Sequence, residues 1–504
     1  MRKTAALLTA GLLAVGTAAC GSDSSASGGS GSTLMLAESV VATPWDLAKA
    51  SMGPEAWYYQ PVYDTLVRLD SKGDPTPNLA TSWSYNAAGT TLTLHLRHGV
   101  RFTDGSPLTA QVVRENLLHT ESGTGTAAGE LTDISGVDAV GTYTVAIRLA
   151  DPSSSLLPAL GQVSGMIASP KALVNPQTPI GSGPYELDTA ASVADQTYTY
   201  VRNPNYWNAK AFPYNKIVVD YLAEPSARIN ALLSGQINGT LVETADLKTV
   251  ESAGMDVIRY TPGDVEGLFI WDRAGKLVPA LGNVKVRQAL NYAFDKQAII
   301  KYVNEGLGTA TTQVFSPDES AYVPSLNDAY SYNPAKARQL LAEAGYPHGF
   351  SVTMPDLSSL FPQEQAVLDQ ELADIGVKVT LVNLPVSQIF TATLSGKYAM
   401  SFFKLGDPSD WDKIGLELEK SSTWNPFHYD DPKADALVSS IQSATGTART
   451  ALMKQLDAYV VDQAWDAPWD VIVYAFATTP GVSATPQPGY DYPPIYNFKP
   501  ANGN

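Results

Sequence analysis

The 504-residue sequence predicts a mixed α/β fold. Three features predict it: runs with a period of two, stripes with the period of a helix, and frequent Gly and Pro between them, 39 and 34 in all. Strand-like and helix-like blocks alternate with no repeat at solenoid spacing, so a compact body is expected.

The first element stands outside that body. Arg2 and Lys3 precede the apolar run Ala5 to Val15, and the small residues Thr17, Ala18 and Ala19 lead to Cys20, the order of a secretion signal over 1–19. The run is shorter than the roughly 20 apolar residues that a bilayer-spanning helix needs. Cys20 is the only cysteine, so no internal disulfide can form. From Gly21 to Ser32 the chain is Gly, Ser and Ala with one Asp, a flexible tether.

Thr91 to Arg97 alternates Leu92, Leu94 and Leu96 with polar residues, which predicts a strand with one buried face, and Asp104-Gly105 supplies a turn. Val286, Ala289, Leu290, Ala293 and Phe294 form a helical stripe, and Asp295 can cap a second helix through Ile299, Ile300 and Val303. Asn333 can cap a helix with Pro334 at its first position, Ala337, Leu340, Leu341 and Ala344 on one face, and Gly345 as its left-handed stop. A helix around Leu368 to Leu372 leads through Gly376 to a strand over Val377 to Val382. All these apolar stripes read as core.

The net charge of −17 becomes −19 when Arg2 and Lys3 leave with the signal, which excludes nucleic acid as a partner because phosphate backbones need basic surfaces. The remaining length exceeds one ordinary domain, so two or three are expected. Gly-x-Ser-x-Gly, His-Glu-x-x-His and Gly-x-x-x-x-Gly-Lys-Ser/Thr are all absent. His95 and His98, three apart on a strand, fall on opposite faces and make no ready metal pair. Among fifty acidic residues, spacing alone nominates no acid and base pair. The sequence therefore points to no catalytic residue, cofactor or metal, and a secreted hydrolase is the alternative class.

Five blocks carry a family resemblance. Tyr63-Asp64-Thr65-Leu66-Val67-Arg68-Leu69 leads into Pro77-Asn78-Leu79-Ala80-Thr81-Ser82-Trp83 and then into Leu94 to Gly105. Gly181-Ser182-Gly183-Pro184-Tyr185 stands with Arg202-Asn203-Pro204-Asn205-Tyr206-Trp207. Val286-Arg287-Gln288-Ala289-Leu290 runs to Asp295, Tyr332-Asn333-Pro334 runs to Tyr346, and Asn425 to Leu437 completes the set. In this order they resemble the family-5 extracellular solute-binding proteins of ABC importers, the group with dipeptide, oligopeptide and nickel binders. The resemblance implies a periplasmic-binding-protein-like body of two lobes with an additional inserted small domain. Lobe I would comprise 33–50, 168–265 and 480–504, the inserted domain 51–167, and lobe II 266–479, with crossings near Gly267 to Trp271 and Thr479.

The N-terminus likewise resembles a bacterial lipoprotein signal, with Cys20 as the lipidated residue and Thr17 where Leu is usual. The alternative is an ordinary signal cut near Ala19 that leaves Cys20 a free thiol. The implied protein is a monomer on the extracellular face of the plasma membrane, or in the periplasm where there is an outer membrane, held by its lipid anchor, which passes a small ligand to permease subunits.

By resemblance the ligand meets Met400 to Trp411, where peptide-binding relatives place an Asp that pairs with the α-ammonium. Aligning Asp407-Pro408 with the family's Asp-Pro puts Lys404 at that position, and deleting two residues puts Asp407 there. Asp407 is the preferred candidate. Phe403, Trp411 and Trp424 on this side, and Ser39, Val40, Trp57 and Tyr58 on the other, complete the expected ligand-binding set. Oligopeptide is the first expected cargo, and nine Trp and 25 Tyr keep an oligosaccharide as the second.

Overall fold

The computed structural model describes residues 33–501 except 42–44, 51–52, 54, 71–72, 151–152, 154–155, 209, 318, 407–409, 421, 445 and 488. The signal, Cys20 and its tether, and Asp407 lie outside the described residues.

Local patterning explains most elements. Thr91–Leu96 is a strand with Leu92, Leu94 and Leu96 buried. The strand stops before His98, whose ring stacks on Tyr143 at 4.1 Å, so the two histidines do not share a strand as expected. Val284–Asn291 and Lys296–Tyr302 are the paired helices, the second capped by Asp295, which accepts from the Ala298 amide at 3.0 Å. Pro334–Glu343 begins at Asn333, which accepts from the Lys336 amide at 2.9 Å, and Gly345 follows with φ of +92°. Pro362–Asp374 leads to the strand Lys378–Val382, which pairs in parallel with Ser351–Pro355.

Three larger sheets organise the described residues. A seven-stranded sheet contains Thr33–Glu38, four strands between 185 and 241, Asp256–Tyr260 and Tyr474–Thr478. A four-stranded antiparallel sheet between 80 and 149, with Ala110–Glu121 against it, encloses Leu92, Leu94, Val113, Leu117 and Ile147. The third contains Thr309–Ala310, Ala467–Val471, Val265–Ile270 and Met400–Leu405.

The chain thus leaves the first sheet after Tyr260, enters the third at Val265, leaves it at Val471 and returns at Tyr474. The crossings lie at 261–264 and 472–473, and Tyr474–Thr478, expected in the second lobe, is a strand of the first. The Ile472 amide donates to the Asp264 carbonyl at 2.9 Å, so the two crossings run side by side. Beyond them the register of Val265–Ile270 against Ala467–Val471 shifts between Glu266 and Gly267, where a β-carbon on Gly267 would meet Pro468 Cα at 2.4 Å.

The recurrent blocks form joints. Asp64 is fully buried and accepts from the Ser182 hydroxyl at 3.2 Å, the Tyr206 hydroxyl at 3.0 Å and Trp207 Nε1 at 3.0 Å, so the first two blocks meet on one carboxylate. In the second lobe Arg287 is buried and donates to the carbonyls of Arg273, Leu281, Gln463 and Ala464. A planar donor with five N–H groups can satisfy that many loop carbonyls at once, which a lysine could not.

Candidate functional site

Where the crossings meet, a cavity of about 290 Å³ opens between the two sheets. Leu241 to Thr244 wall it on the first side, Glu266, Val303, Asn304, Leu307, Glu364 and Lys404 on the second, and Ile472 to Ala475 along the crossing. Such a position, bounded by both lobes and their connections, is where opening and closing change a ligand's contacts most.

Adjacent strands place the polar groups. Glu266 and Lys404 are paired residues of Val265–Ile270 and Met400–Leu405. Lys404 Nζ lies 2.9 Å from Glu266 Oε2 and 3.1 Å from Glu364 Oε1, and 4.9 Å from the centre of the Phe361 ring. Burial alone would lower its pKa, but these two ion pairs outweigh it and hold the ammonium above the usual lysine value. Glu266 Oε1 accepts from Trp469 Nε1 at 3.0 Å and from Asn304 Nδ2 at 2.7 Å. The same Asn304 amide donates to Asp470 Oδ2 at 2.7 Å. Burial, then the Glu266 charge, pushes the Asp470 carboxyl up to about 8.

At the end of Thr33–Glu38 lies another buried acid. Glu38 Oε1 accepts from the Ser39 amide at 2.7 Å and the Ser39 hydroxyl at 3.3 Å, and burial raises its carboxyl to about 8. Glu38 drew no attention in the sequence, since a lone Glu at a strand end carries no motif.

The expected ligand contacts divide. Ser39 and Val40 are half-buried at the strand end, but the Val40 carbonyl already accepts from the Tyr58 hydroxyl at 2.8 Å. Trp57 and Tyr58 are corrected to core. Trp57 packs edge-on to Tyr492 and donates from Nε1 to the Pro493 carbonyl at 2.9 Å, and Tyr58 packs edge-on to Tyr198. Trp411 is also corrected to core, with Phe315, Ile414 and Val438, and the Arg449 guanidinium lies 5.2 Å from its ring centre. Phe403 and Trp424 do come together, 4.8 Å apart and half-buried, with Trp271 stacked 5.8 Å from Trp424. These rings form a bank on the sheet face opposite Phe402, which joins the second-lobe core.

Two sheets joined by paired crossings, with a cavity at the junction and the four-stranded sheet between 80 and 149 inserted in the first lobe, define a two-lobed solute-binding protein. Residues 74–427 match the profile of the bacterial extracellular solute-binding proteins, family 5, and the chain belongs to that family. The chain is 28% identical to heme-binding protein A of Haemophilus influenzae, over 84% of this chain and 83% of that protein. It is 32% identical to a putative ABC transporter peptide-binding protein of Brucella ovis, over 59% of this chain and 57% of that one. In fold it superposes on the Helicobacter pylori periplasmic binding protein DppA, solved with the peptide STSA, with a TM-score of 0.77 at 22% identity, covering 93% and 98% of the two chains. The protein is thus the substrate-binding component of an ABC importer, in a family whose members bind solutes outside the cell.

Proposed function

We propose that the ligand is an oligopeptide, held in the cleft at the paired crossings and released to permease subunits. The observation that carries this is the cavity shared by both lobes and both crossings. A ligand touching both walls favours the closed form in proportion to its extra contacts there. The peptide-binding relatives at 32% identity support the cargo. Burial of Trp57, Trp271, Trp411, Trp465 and Trp469 removes most of the tryptophan supply that favoured a sugar.

In this reading the lobes divide at 261–264 and 472–473, the protein acts as a monomer, and a lipid on Cys20 holds it at the extracellular face. Mass spectrometry of the mature protein should find a diacylated cysteine at its N-terminus, and an unmodified thiol there would remove the anchor. A thermal-shift screen of short peptides against oligosaccharides should give stabilisation by peptides. Stabilisation by sugars alone would sink the peptide reading. Asp407 is proposed to pair with the peptide ammonium, so Asp407→Ala should weaken binding by about tenfold or more, the loss expected for one charge-assisted contact. Unchanged affinity by calorimetry would remove Asp407 from the site.

A further inference from the structure

The cavity at the crossings is lined by carboxylates and by an aliphatic wall. Leu241, Val242, Val303, Leu307, Ile472 and Val473 supply the apolar surface, while Glu243, Glu266 and Glu364 supply acid. Among the described residues Lys404 is the only cation lining it, and both Glu266 and Glu364 already hold that ammonium. Arg228 reaches Glu243 at 3.5 Å from outside the lining and is itself committed to the carbonyls of Leu222 and Ala223.

The acids are not saturated. Glu266 is fully buried, and the one Lys404 ammonium is shared between its Oε2 at 2.9 Å and Glu364 Oε1 at 3.1 Å, so two carboxylates face a single cation. Glu364 meets Lys404 through Oε1. An anionic ligand group would face these carboxylates with no free cation to receive it.

We infer that this cavity selects a cationic group on the ligand, an ammonium or guanidinium carried on an alkyl stem, and so that the preferred cargo is a basic peptide. The aliphatic wall suits the stem, and the carboxylates suit its head. This rests on the peptide reading above, and deepens it from peptide to basic peptide.

The test is calorimetry on the purified protein with trialanine, with alanine tripeptides carrying one lysine at each position in turn, with the matching glutamate set, and with a linear diamine. The best lysine peptide should bind about tenfold tighter than trialanine and its glutamate counterpart about tenfold weaker, differences that shrink as salt is added. In Glu364→Gln, checked for an unchanged melting temperature, the lysine preference should fall at least about threefold. Equal affinities across the three peptide sets, or a glutamate preference, would overturn the inference and leave the peptide reading standing. Binding of the diamine with no peptide bound would support the cation and remove the peptide, and no binding by any probe would overturn both.

Discussion

Raising the pH from about 5.5 to about 8.5 should destabilise the folded protein by roughly 3–5 kcal/mol, seen as a falling urea midpoint. Glu38, Asp457 and Asp470 are each fully buried, and burial raises each carboxyl to about 8. In the unfolded chain such groups ionise near 4. Between those values the native state holds more protons than the unfolded state, so stability is greatest below the unfolded pKa and falls as pH climbs toward 8. Ionising all three in place would cost about 1.4 kcal/mol per group per pH unit, and water entry with local relaxation takes up more than half of the total. Lys296 works the other way: burial lowers its pKa to about 7, so above that value its native form binds fewer protons and gains stability. One lysine acting over the last part of the range offsets a minority of the loss. Replacing the acids together, Glu38→Gln with Asp457→Asn and Asp470→Asn, should reduce the slope and leave the smaller part owed to Glu371 and Asp491, whose carboxyls burial raises to about 7. A wild-type midpoint that stays level or rises would mean that these carboxyls are ionised in the native state.

Those acids also mark where sequence reading stops. Periodicity and caps are local, so the Leu92, Leu94 and Leu96 face and the Asn333 and Asp295 caps could be read directly. The motif blocks could be recognised, but not what they do. That Asp64 gathers Ser182, Tyr206 and Trp207 is visible only when residues more than a hundred positions apart meet. The cavity is less legible still. Asn304 and Asp470 are 166 residues apart, and their bond depends on two strands and a helix end arriving at one crossing. Lys404 was conspicuous in sequence as a charge at an acid's position, yet its partners Glu266 and Glu364 had no signal of their own. Aromatic residues misled in a consistent way. Trp57, Tyr58 and Trp411 have the chemistry of a binding surface and of a core alike, and only packing decides between them.

Trp57 allows that decision to be tested in solution. Trp57→Ala should lower unfolding stability by about 3–5 kcal/mol, the usual cost of emptying a large buried aromatic site. The indole is 1% exposed, and its ring centre lies 4.9 Å from Tyr492, 5.8 Å from Phe476 and 5.9 Å from Phe498. It therefore joins the helix Ala56–Tyr59 to the strand Tyr474–Thr478 just past the returning crossing, and through Pro493 to the C-terminal segment. Loss of the ring would leave a cavity among three segments that share no local structure, and would strand the Pro493 carbonyl, so little relaxation is available. A ligand-binding indole would behave differently, costing affinity while leaving stability nearly intact. Trp57→Phe separates the two cases, because it keeps most of the packing and removes the indole N–H. Its affinity for a peptide that binds the wild-type protein should stay within about twofold, well under the 1.4 kcal/mol of a tenfold change. A tenfold loss of affinity in a stable Trp57→Phe protein would return Trp57 to the binding site expected from sequence.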